Sequence, residues 1–546
     1  MEESNRDMVI RSLVGRLRPM GDAFELPGGA ISAIEVEALR HVSGMMSPII
    51  EAPRPTNNDS NKSAAKLDLT CLTAPTDEGA MLCVDFGTAY SKASIWRAGA
   101  TIPTPLNLAG GADPARTGVL LESAAYLSDG RIFFGPAAIE RFRLEDLPDR
   151  ELFSSPKELL THDVARMDVE RPPRAVDPSG RFTSRALLTL YLGYLTAVAC
   201  AVLPDGIART VRRRYAAPGW DNAQADVASG DMGLAARSLG DLLVDAQILA
   251  DTVEIADWRA GLDIDTALAM SEAIGEYRKR GSAKGAAFIE RAVLEAVAAG
   301  SGIRDRFINK RPQVLVVDVG AGTTDIGVFK YVNARDADGI VAPYAGGMRA
   351  VQIAGNALDE ALVSLAQQKA GLVANSDRWR RFKRRLGDTI QDAKATLCTT
   401  GEIEIDIPDF PRMKIELPEF VNTPIVRHYV EEFTGAVVAA LDSSGASFRS
   451  FSDDNVVVFT GGGRSLPFLR DMFDKKPIEL ASGPAYFLID DAVPEWVGRT
   501  LPDVSQVFPQ MAVATGGCSP FLPDEARVTR DTSTPGPRTL APFYKS

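Results

Sequence analysis

Two apolar stretches of the chain each end at a glycine-containing turn, and the alternation of apolar and polar residues resumes directly after it. Residues 81–96 read MLCVDFGTAYSKASIW, in which the first run ends at Asp85. Residues 314–329, VLVVDVGAGTTDIGVF, repeat this arrangement with Asp318 at the end of the run. Such runs are typical of β-strands, so each stretch predicts a strand, a turn and a second strand. Because the pattern occurs twice, we expect a duplicated lobe with a cleft between the copies.

The polar content of these turns favours a ligand-binding loop, although glycine alone is also what an ordinary tight hairpin uses. Backbone N–H groups left uncovered by Gly320 and Gly322 are suited to phosphate oxygens, and Thr323 adds a hydroxyl. The carboxylates of Asp85 and Asp318 would repel a phosphate unless a cation lay between them. Mg²⁺ suits this position because it binds one or two carboxylates together with phosphates and water. The pattern therefore predicts a site for a magnesium-bound nucleotide.

A third glycine turn follows a third apolar run at residues 455–467, NVVVFTGGGRSLP. It contains no carboxylate, which argues against a metal role, but consecutive glycines allow a flat ring to approach the backbone. We therefore expect Gly461, Gly462 and Gly463 to contact the nucleoside. The chain has neither a Walker A motif nor a complete G-x-G-x-x-G motif, which disfavours the P-loop and Rossmann folds.

The order of these motifs resembles that of the actin-like ATPases, the superfamily of actin, the sugar kinases and the seventy-kilodalton heat-shock chaperones. Three further segments, FSSPKELL (153–160), LEAVAAG (294–300) and GDTIQDAKATL (387–397), are similar to segments of the chaperones. Over roughly residues 80–518 the chain resembles the ATPase domain of the heat shock protein 70 family, without the peptide-binding domain that follows it there. The resemblance implies an α/β, ribonuclease H-like fold of two lobes, each with a mixed five-stranded sheet, and a nucleotide cleft between them.

The resemblance also implies roles for individual residues. Asp85 and Asp318 would hold Mg²⁺ through its water shell, Lys157 would offset charge on the γ-phosphoryl group, and Glu295 would orient water or metal. Pro218 would relay the nucleotide state between the lobes. The implied contacts to ATP or ADP are Gly87, Thr88, Ala89, Tyr90, Gly320, Ala321, Gly322, Thr323, Lys394, Gly461, Gly462 and Gly463, with Thr323 also among the catalytic residues and Lys394 near the ribose.

Composition narrows the class of protein. The net charge of −12 provides no field that would attract nucleic acid or an anionic membrane. The basic segment RWRRFKRR (378–385) has the composition of a nucleic-acid-binding patch, but a solvated helix face is the favoured interpretation. The five cysteines show no paired spacing, which indicates a reducing compartment and a cytoplasmic location. The longest uncharged run, residues 186–204, predicts a buried core helix and no membrane span.

The predicted organisation has four segments. Residues 1–79 form an N-terminal extension and linker, and residues 80–311 form lobe I with an inserted helical segment near 250–285. Residues 312–518 form lobe II, whose last helix returns to lobe I, and residues 519–546 form a tail.

The expected function is that of a conformational switch driven by slow ATP hydrolysis. By resemblance it is a chaperone-type ATPase without its own substrate-binding domain, acting on a partner protein that the motifs do not identify. Two alternatives share the motifs: an actin-like or cell-division scaffold that polymerises, and a small-molecule kinase of the same fold. A kinase needs a further aspartate as general base, and no motif supplies one.

Overall fold

The chain forms two compact units, residues 1–63 and 64–546. The computed structural model describes residues 18–20, 23–25 and 65–523, except for short gaps at 148, 161–163, 218–232, 281–285, 308–311, 335–336, 375, 388, 447, 449–454, 475 and 491. In the first unit, strands β1 (Arg18–Met20) and β2 (Ala23–Glu25) pair antiparallel. The predicted relay residue Pro218 lies outside the described residues.

The second unit contains the elements that form the lobes. Its strands are β3 (Asp77–Asp85), β4 (Tyr90–Arg97), β5 (Thr104–Pro105), β6 (Leu121–Glu122), β7 (Ala124–Ser128), β8 (Arg131–Phe134), β9 (Phe153–Ser154), β10 (Val211–Ala217), β11 (Leu262–Asp263), β12 (Ile289–Leu294), β13 (Gln313–Val319), β14 (Thr324–Ala334), β15 (Ala337–Val351), β16 (Glu402–Ile405), β17 (Met413–Glu416), β18 (Asn455–Thr460), β19 (Ile478–Leu480), β20 (Gly483–Ala485) and β21 (Leu488–Asp490). Its helices are α1 (Leu108–Ala112), α2 (Pro136–Glu145), α3 (Ser184–Ala201), α4 (Gly233–Thr252), α5 (Ile255–Ala260), α6 (Ile264–Lys279), α7 (Glu295–Gly302), α8 (Arg304–Phe307), α9 (Gly355–Lys369), α10 (Asp377–Gly387), α11 (Ile390–Thr400), α12 (Leu417–Val421), α13 (Pro424–Ser443), α14 (Pro467–Arg470), α15 (Glu495–Thr500) and α16 (Phe508–Gly517).

The two lobes are built on sheets with the same topology. In lobe I the strand order is β5–β4–β3–β10–β12, with β6 also paired to β4, and in lobe II it is β15–β14–β13–β18–β21. In both sheets the first three strands form an antiparallel meander, and the other two run parallel to the first strand. The repeated topology confirms the predicted α/β fold of two lobes on mixed sheets, and β6 adds a sixth strand to the sheet of lobe I.

Each lobe has its own hydrophobic core, and a third cluster joins them. The joining cluster contains Val314 and Val316 of lobe II, Val293 of lobe I, and Ala512 and Val513 of α16. Helices α7 and α16 pack closely in this region, because a Cβ at Gly302 or Gly516 would clash with the backbone of the other helix. Helix α16 also reaches lobe I, where Thr515 Oγ1 lies 3.3 Å from Ser94 Oγ on β4.

Helix α3 is the one helix in the described part of the chain that is long and apolar enough to cross a membrane. However, 78% of it is buried inside the protein. The sequence places large side chains on one face and small ones on the other, and residues of both faces are buried. On the face of small residues, Gly193 lies against Leu249 of α4 and Trp258 of α5. The helix therefore fits its predicted place in the core of lobe I.

The inserted segment near 250–285 is part of lobe I. Strand β11 pairs with β8 in a second sheet of order β11–β8–β7–β9. Trp258 of α5 is buried and its ring contacts Phe134 edge-on, with centroids 5.4 Å apart. These contacts attach the insertion to the small sheet of lobe I.

The second unit begins earlier than the boundary expected at residue 79. Cys71 is buried in the core of lobe I, and the backbone N–H of Asp68 donates to Thr252 Oγ1 at 2.9 Å. Strand β3 starts at Asp77 and pairs with β10 from its first residue. Residues 65–79 therefore pack as part of lobe I, and the boundary between the units falls at residue 64.

Candidate functional site

Every catalytic, metal-binding and nucleotide-contacting residue expected from the sequence lines one cavity of about 250 Å³ between the lobes. The sheet topology explains this convergence, because parallel strands present their carboxyl ends at the same edge. Asp85 ends β3 and Glu295 directly follows β12, while Asp318 lies near the end of β13 and Gly461 follows β18. Residues of both edges line the same cavity, so the two edges face each other across the cleft. A second cavity of about 680 Å³ adjoins the first and shares residues 88–90 and 321–323 with it.

The two Asp-Gly turns approach each other across the cleft. A Cβ at Gly322 would lie 2.7 Å from Thr88 Oγ1, closer than a side chain allows unless the Thr88 hydroxyl moves. The turn of lobe II is closed by a hydrogen bond from the N–H of Gly320 to the carbonyl of Thr323, at 2.9 Å. A Cβ at Gly87 in the other turn would clash with the carbonyl of Tyr90. Both glycine turns are thus backbone surfaces that could cradle one anion from two sides.

Asp318 is a buried carboxylate among other negative charges. Burial raises its pKa to about 7, and the charges of Glu295 and Asp85 add to this rise. The hydroxyl of Thr460 donates to Asp318 Oδ1 at 2.7 Å, which opposes the shift. A cation placed between these carboxylates would favour the ionised form.

The donors around Asp318 fit magnesium better than a metal held by protein side chains alone. No group of three or more His, Cys, Asp or Glu side chains suited to holding a metal occurs among the described residues. Mg²⁺ binds through one or two carboxylates plus phosphates and retained water. The two buried carboxylates Asp85 and Asp318 provide that number.

Lys92 is a residue of the site that the motifs did not indicate. Its Nζ lies 2.9 Å from Asp85 Oδ2, and both side chains are largely buried. The antiparallel register of β3 and β4 pairs Asp85 with Lys92. The length of the turn between β3 and β4 sets this register, so the contact between Asp85 and Lys92 could have been predicted from the sequence.

Lys157 and Glu295 form a buried ion pair at the end of the cavity near Asp85. Lys157 lies in a 3₁₀ turn, Pro156–Leu160, and Glu295 is the first residue of α7. Burial acts to lower the pKa of Lys157, but the carboxylates of Glu295 and Asp85 outweigh it, and the pKa is raised. The structure therefore places a positive charge in the cavity that the glycine turns also line.

Lys394 and the third glycine turn line another part of the cavity. Lys394 Nζ donates to the carbonyl of Gly355 at 3.0 Å and pairs with Asp359 at 2.7 Å. At Gly461 and Gly463 a Cβ would clash with Val319, so these glycines allow the third turn to pack on the second. Gly462 has open space beside it, and of the three glycines it best fits the predicted approach of a flat ring.

The basic segment 378–385 lies on helix α10, away from the cavity. Its aromatic residues Trp379 and Phe382 are buried in the core of lobe II. Arg384 extends to lobe I, where its guanidinium lies 3.1 Å from Asp146 Oδ1 and 4.2 Å from the centroid of the Phe142 ring. The segment therefore uses its aromatic residues for packing and Arg384 to connect the two lobes.

Comparison with known proteins gives two findings. Residues 265–488 match the family model of the MreB/Mbl protein family. The chain is also similar to the chaperone protein DnaK of Thermoplasma volcanium, with 27% identity over 192 residues, and to that of Thermoplasma acidophilum, with 26% identity over 194 residues. Each alignment covers 33% of this chain and 30% of the relative. The chain thus has the two-lobed fold of the actin-like ATPases, with distant sequence similarity to both MreB/Mbl and DnaK.

Proposed function

We propose that this protein binds MgATP between its lobes, hydrolyses it slowly, and uses the change to ADP as a conformational signal to a partner protein. The observation that carries the proposal is the convergence of all three glycine turns, the buried carboxylates and Lys157 on one cavity. The similarity to DnaK supports a chaperone-type ATPase, although it covers about a third of the chain.

In this mechanism the residues act by position and charge. The backbone amides of the turns and the Thr88 hydroxyl would bind the phosphate oxygens, and Asp85 and Asp318 would hold Mg²⁺ through its water shell. When bound, the metal would offset charge on the β- and γ-phosphates. Lys157 would stabilise the negative charge of the phosphoryl group during transfer, and Glu295 would orient the attacking water. Phosphoryl transfer requires little more of a protein than such positioning.

The angle between the lobes would carry the signal from the nucleotide to a partner. The two turns that would bind the phosphates are residues 86–89 of lobe I and residues 320–323 of lobe II, called the phosphate turns below. Because they belong to different lobes and meet at Gly322 and Thr88, loss of the γ-phosphate removes a ligand shared between them. ATP and ADP would then stabilise different angles between the lobes. A partner that binds one angle better than the other would be captured or released with the nucleotide.

The first test is phosphate release by the wild-type protein with ATP and Mg²⁺, followed by capture of partners in each nucleotide state. The proposal expects slow turnover that stops when EDTA removes the metal. It also expects a set of proteins bound with ATP but not with ADP. Absence of turnover at saturating ATP would refute the hydrolytic switch.

A polymerising scaffold is the second candidate, and the match to the MreB/Mbl family over residues 265–488 favours it. Such a protein would assemble head to tail through a repeating surface. If this candidate is correct, high-speed centrifugation should pellet the protein with MgATP and leave it in the supernatant with MgADP. Equal amounts in the supernatant under both conditions, at tens of micromolar protein, would favour the switch.

Deleting residues 1–63 is predicted to leave a folded ATP-binding protein, because the second unit has its own cores. The truncated protein should melt cooperatively, and millimolar MgATP should raise its melting temperature, since ligand that binds only the folded state stabilises it. We further expect the deletion to lose partner capture while ATP hydrolysis continues.

A longer deletion, of residues 1–79, is the matched comparison. It removes buried Cys71 and the start of β3, and should therefore lower the melting temperature of the protein. If the shorter truncation is already insoluble, or ATP no longer stabilises it, residues 1–63 are required by the ATPase fold.

A further inference from the structure

Asn356 connects the two lobes beside the phosphate turns. It is the second residue of α9 in lobe II and lines the 680 Å³ cavity. Its side-chain Nδ2 donates across the cleft to Ser155 Oγ at 3.0 Å and to Glu158 Oε1 at 2.8 Å, both in lobe I. The two acceptors use both protons of the amide nitrogen.

The backbone of the same residue is fixed to the phosphate turn of lobe II. The N–H of Asn356 donates to the carbonyl of Ala321 at 2.8 Å, and the N–H of Gly355 donates to the carbonyl of Gly320 at 3.2 Å. The start of α9 must therefore move with this turn. One residue thus contacts the phosphate turn through its backbone and the opposite lobe through its side chain.

The lobe I partners of Asn356 flank Lys157. Ser155 lies two residues before Lys157, and Glu158 directly follows it. Ser155 has a φ of 53°, in the left-handed region that costs free energy for a residue with a side chain. Its carbonyl accepts the N–H of Glu158 at 2.9 Å, which closes the 3₁₀ turn. A strained conformation of this kind persists only when surrounding contacts hold it, and Asn356 supplies two of them.

We propose that Asn356 is a positioning residue that couples the phosphate turn of lobe II to Lys157 of lobe I. The inference rests on the proposed ATP hydrolysis. When the turn around Gly320 and Ala321 closes on the phosphates, α9 moves with it, and the Asn356 amide holds the strained turn that aims Lys157. When the turn relaxes, the amide withdraws and Lys157 loses its alignment. Misplacement of a charged group by about 1 Å can cost up to ~10²-fold in rate.

Asn356→Ala is expected to lower kcat for ATP hydrolysis roughly tenfold and to change the Kd for MgADP by less than about twofold, because the backbone contact to Ala321 remains. In the Lys157→Ala background, adding Asn356→Ala should cause no further loss, since its effect passes through Lys157. Gln368→Ala is the control, because this exposed side chain lies at the far end of the same helix. Melting temperatures of all variants verify that they fold.

A rescue experiment tests the contact itself. Asn356→Asp should be slower than Asn356→Ala, because it places a carboxylate against Glu158. Adding Glu158→Gln should recover most of the rate, since the new amide can donate to the new carboxylate. If the wild-type protein is active and Asn356→Ala has the same kcat, this inference is overturned while the proposed function stands. Independent, additive losses for Asn356→Ala and Lys157→Ala overturn it as well, whereas a wild-type protein without ATPase activity overturns the proposed function together with it.

Discussion

Lys157→Ala is expected to reduce the rate of ATP hydrolysis by ~10²-fold or more while changing ATP affinity far less. Lys157 is cationic and buried beside the space between the phosphate turns, so its charge acts mainly on the transferring phosphoryl group. Single-turnover hydrolysis measures the chemical step, and calorimetric titration with ATP measures binding. A loss confined to the rate indicates an interaction made mostly in the transition state.

The controls for this prediction follow from the Lys157–Glu295 ion pair. Removing one partner of a buried pair destabilises a protein by about 3–5 kcal/mol, so the melting temperature of the variant must be measured with its rate. Lys157→Arg retains the charge but changes its position, and should keep the fold while losing rate. Lys330→Ala removes an exposed lysine on β14 and should leave the rate unchanged. Equal losses of rate and affinity, or no loss in either, would remove Lys157 from the mechanism.

Asp318→Asn is expected to weaken Mg²⁺-dependent nucleotide binding or turnover by roughly 10- to 100-fold, the usual effect of losing a group that holds a metal through its outer shell. A neutral amide cannot attract the hydrated metal as a carboxylate does. Titrations with ADP at several Mg²⁺ concentrations measure the effect. The matched control is Asp205→Asn, which changes an exposed aspartate of lobe I away from the cavity.

The same substitution has a pH-dependent effect on the nucleotide-free protein. Because the pKa of Asp318 is raised from 3.8 to about 7, the folded protein holds this proton more tightly than the unfolded chain. The protonated Asp318 side chain therefore contributes to the free energy of unfolding at low pH, and this contribution is lost as the pH rises to about 7. Asp318→Asn should raise the melting temperature more at pH 8 than at pH 5, as thermal denaturation at both values would measure. A shift independent of pH would show that Asp318 is not a buried acid with a raised pKa.

The sequence was sufficient to predict the sheets and the glycine turns, because strand alternation and turn chemistry are local. Contacts between residues far apart in the sequence were not predictable in this way. Thr460 is 142 residues from Asp318, and Asn356 is 201 residues from Ser155, so neither pair leaves a periodic pattern. The packing of residues before 79 into lobe I was not predictable for a related reason. Cys71 lies in a single 3₁₀ turn, Thr70–Leu72, which is too short for its burial to appear as a periodic pattern.

Calorimetric titration of the wild-type protein with ATP and with ADP, at millimolar Mg²⁺, tests the central claim most directly. The account predicts saturable binding of one nucleotide per chain, which weakens when EDTA removes the metal and when Asp318→Asn is introduced. Absence of a binding heat with both nucleotides, together with an unchanged melting temperature, would contradict it.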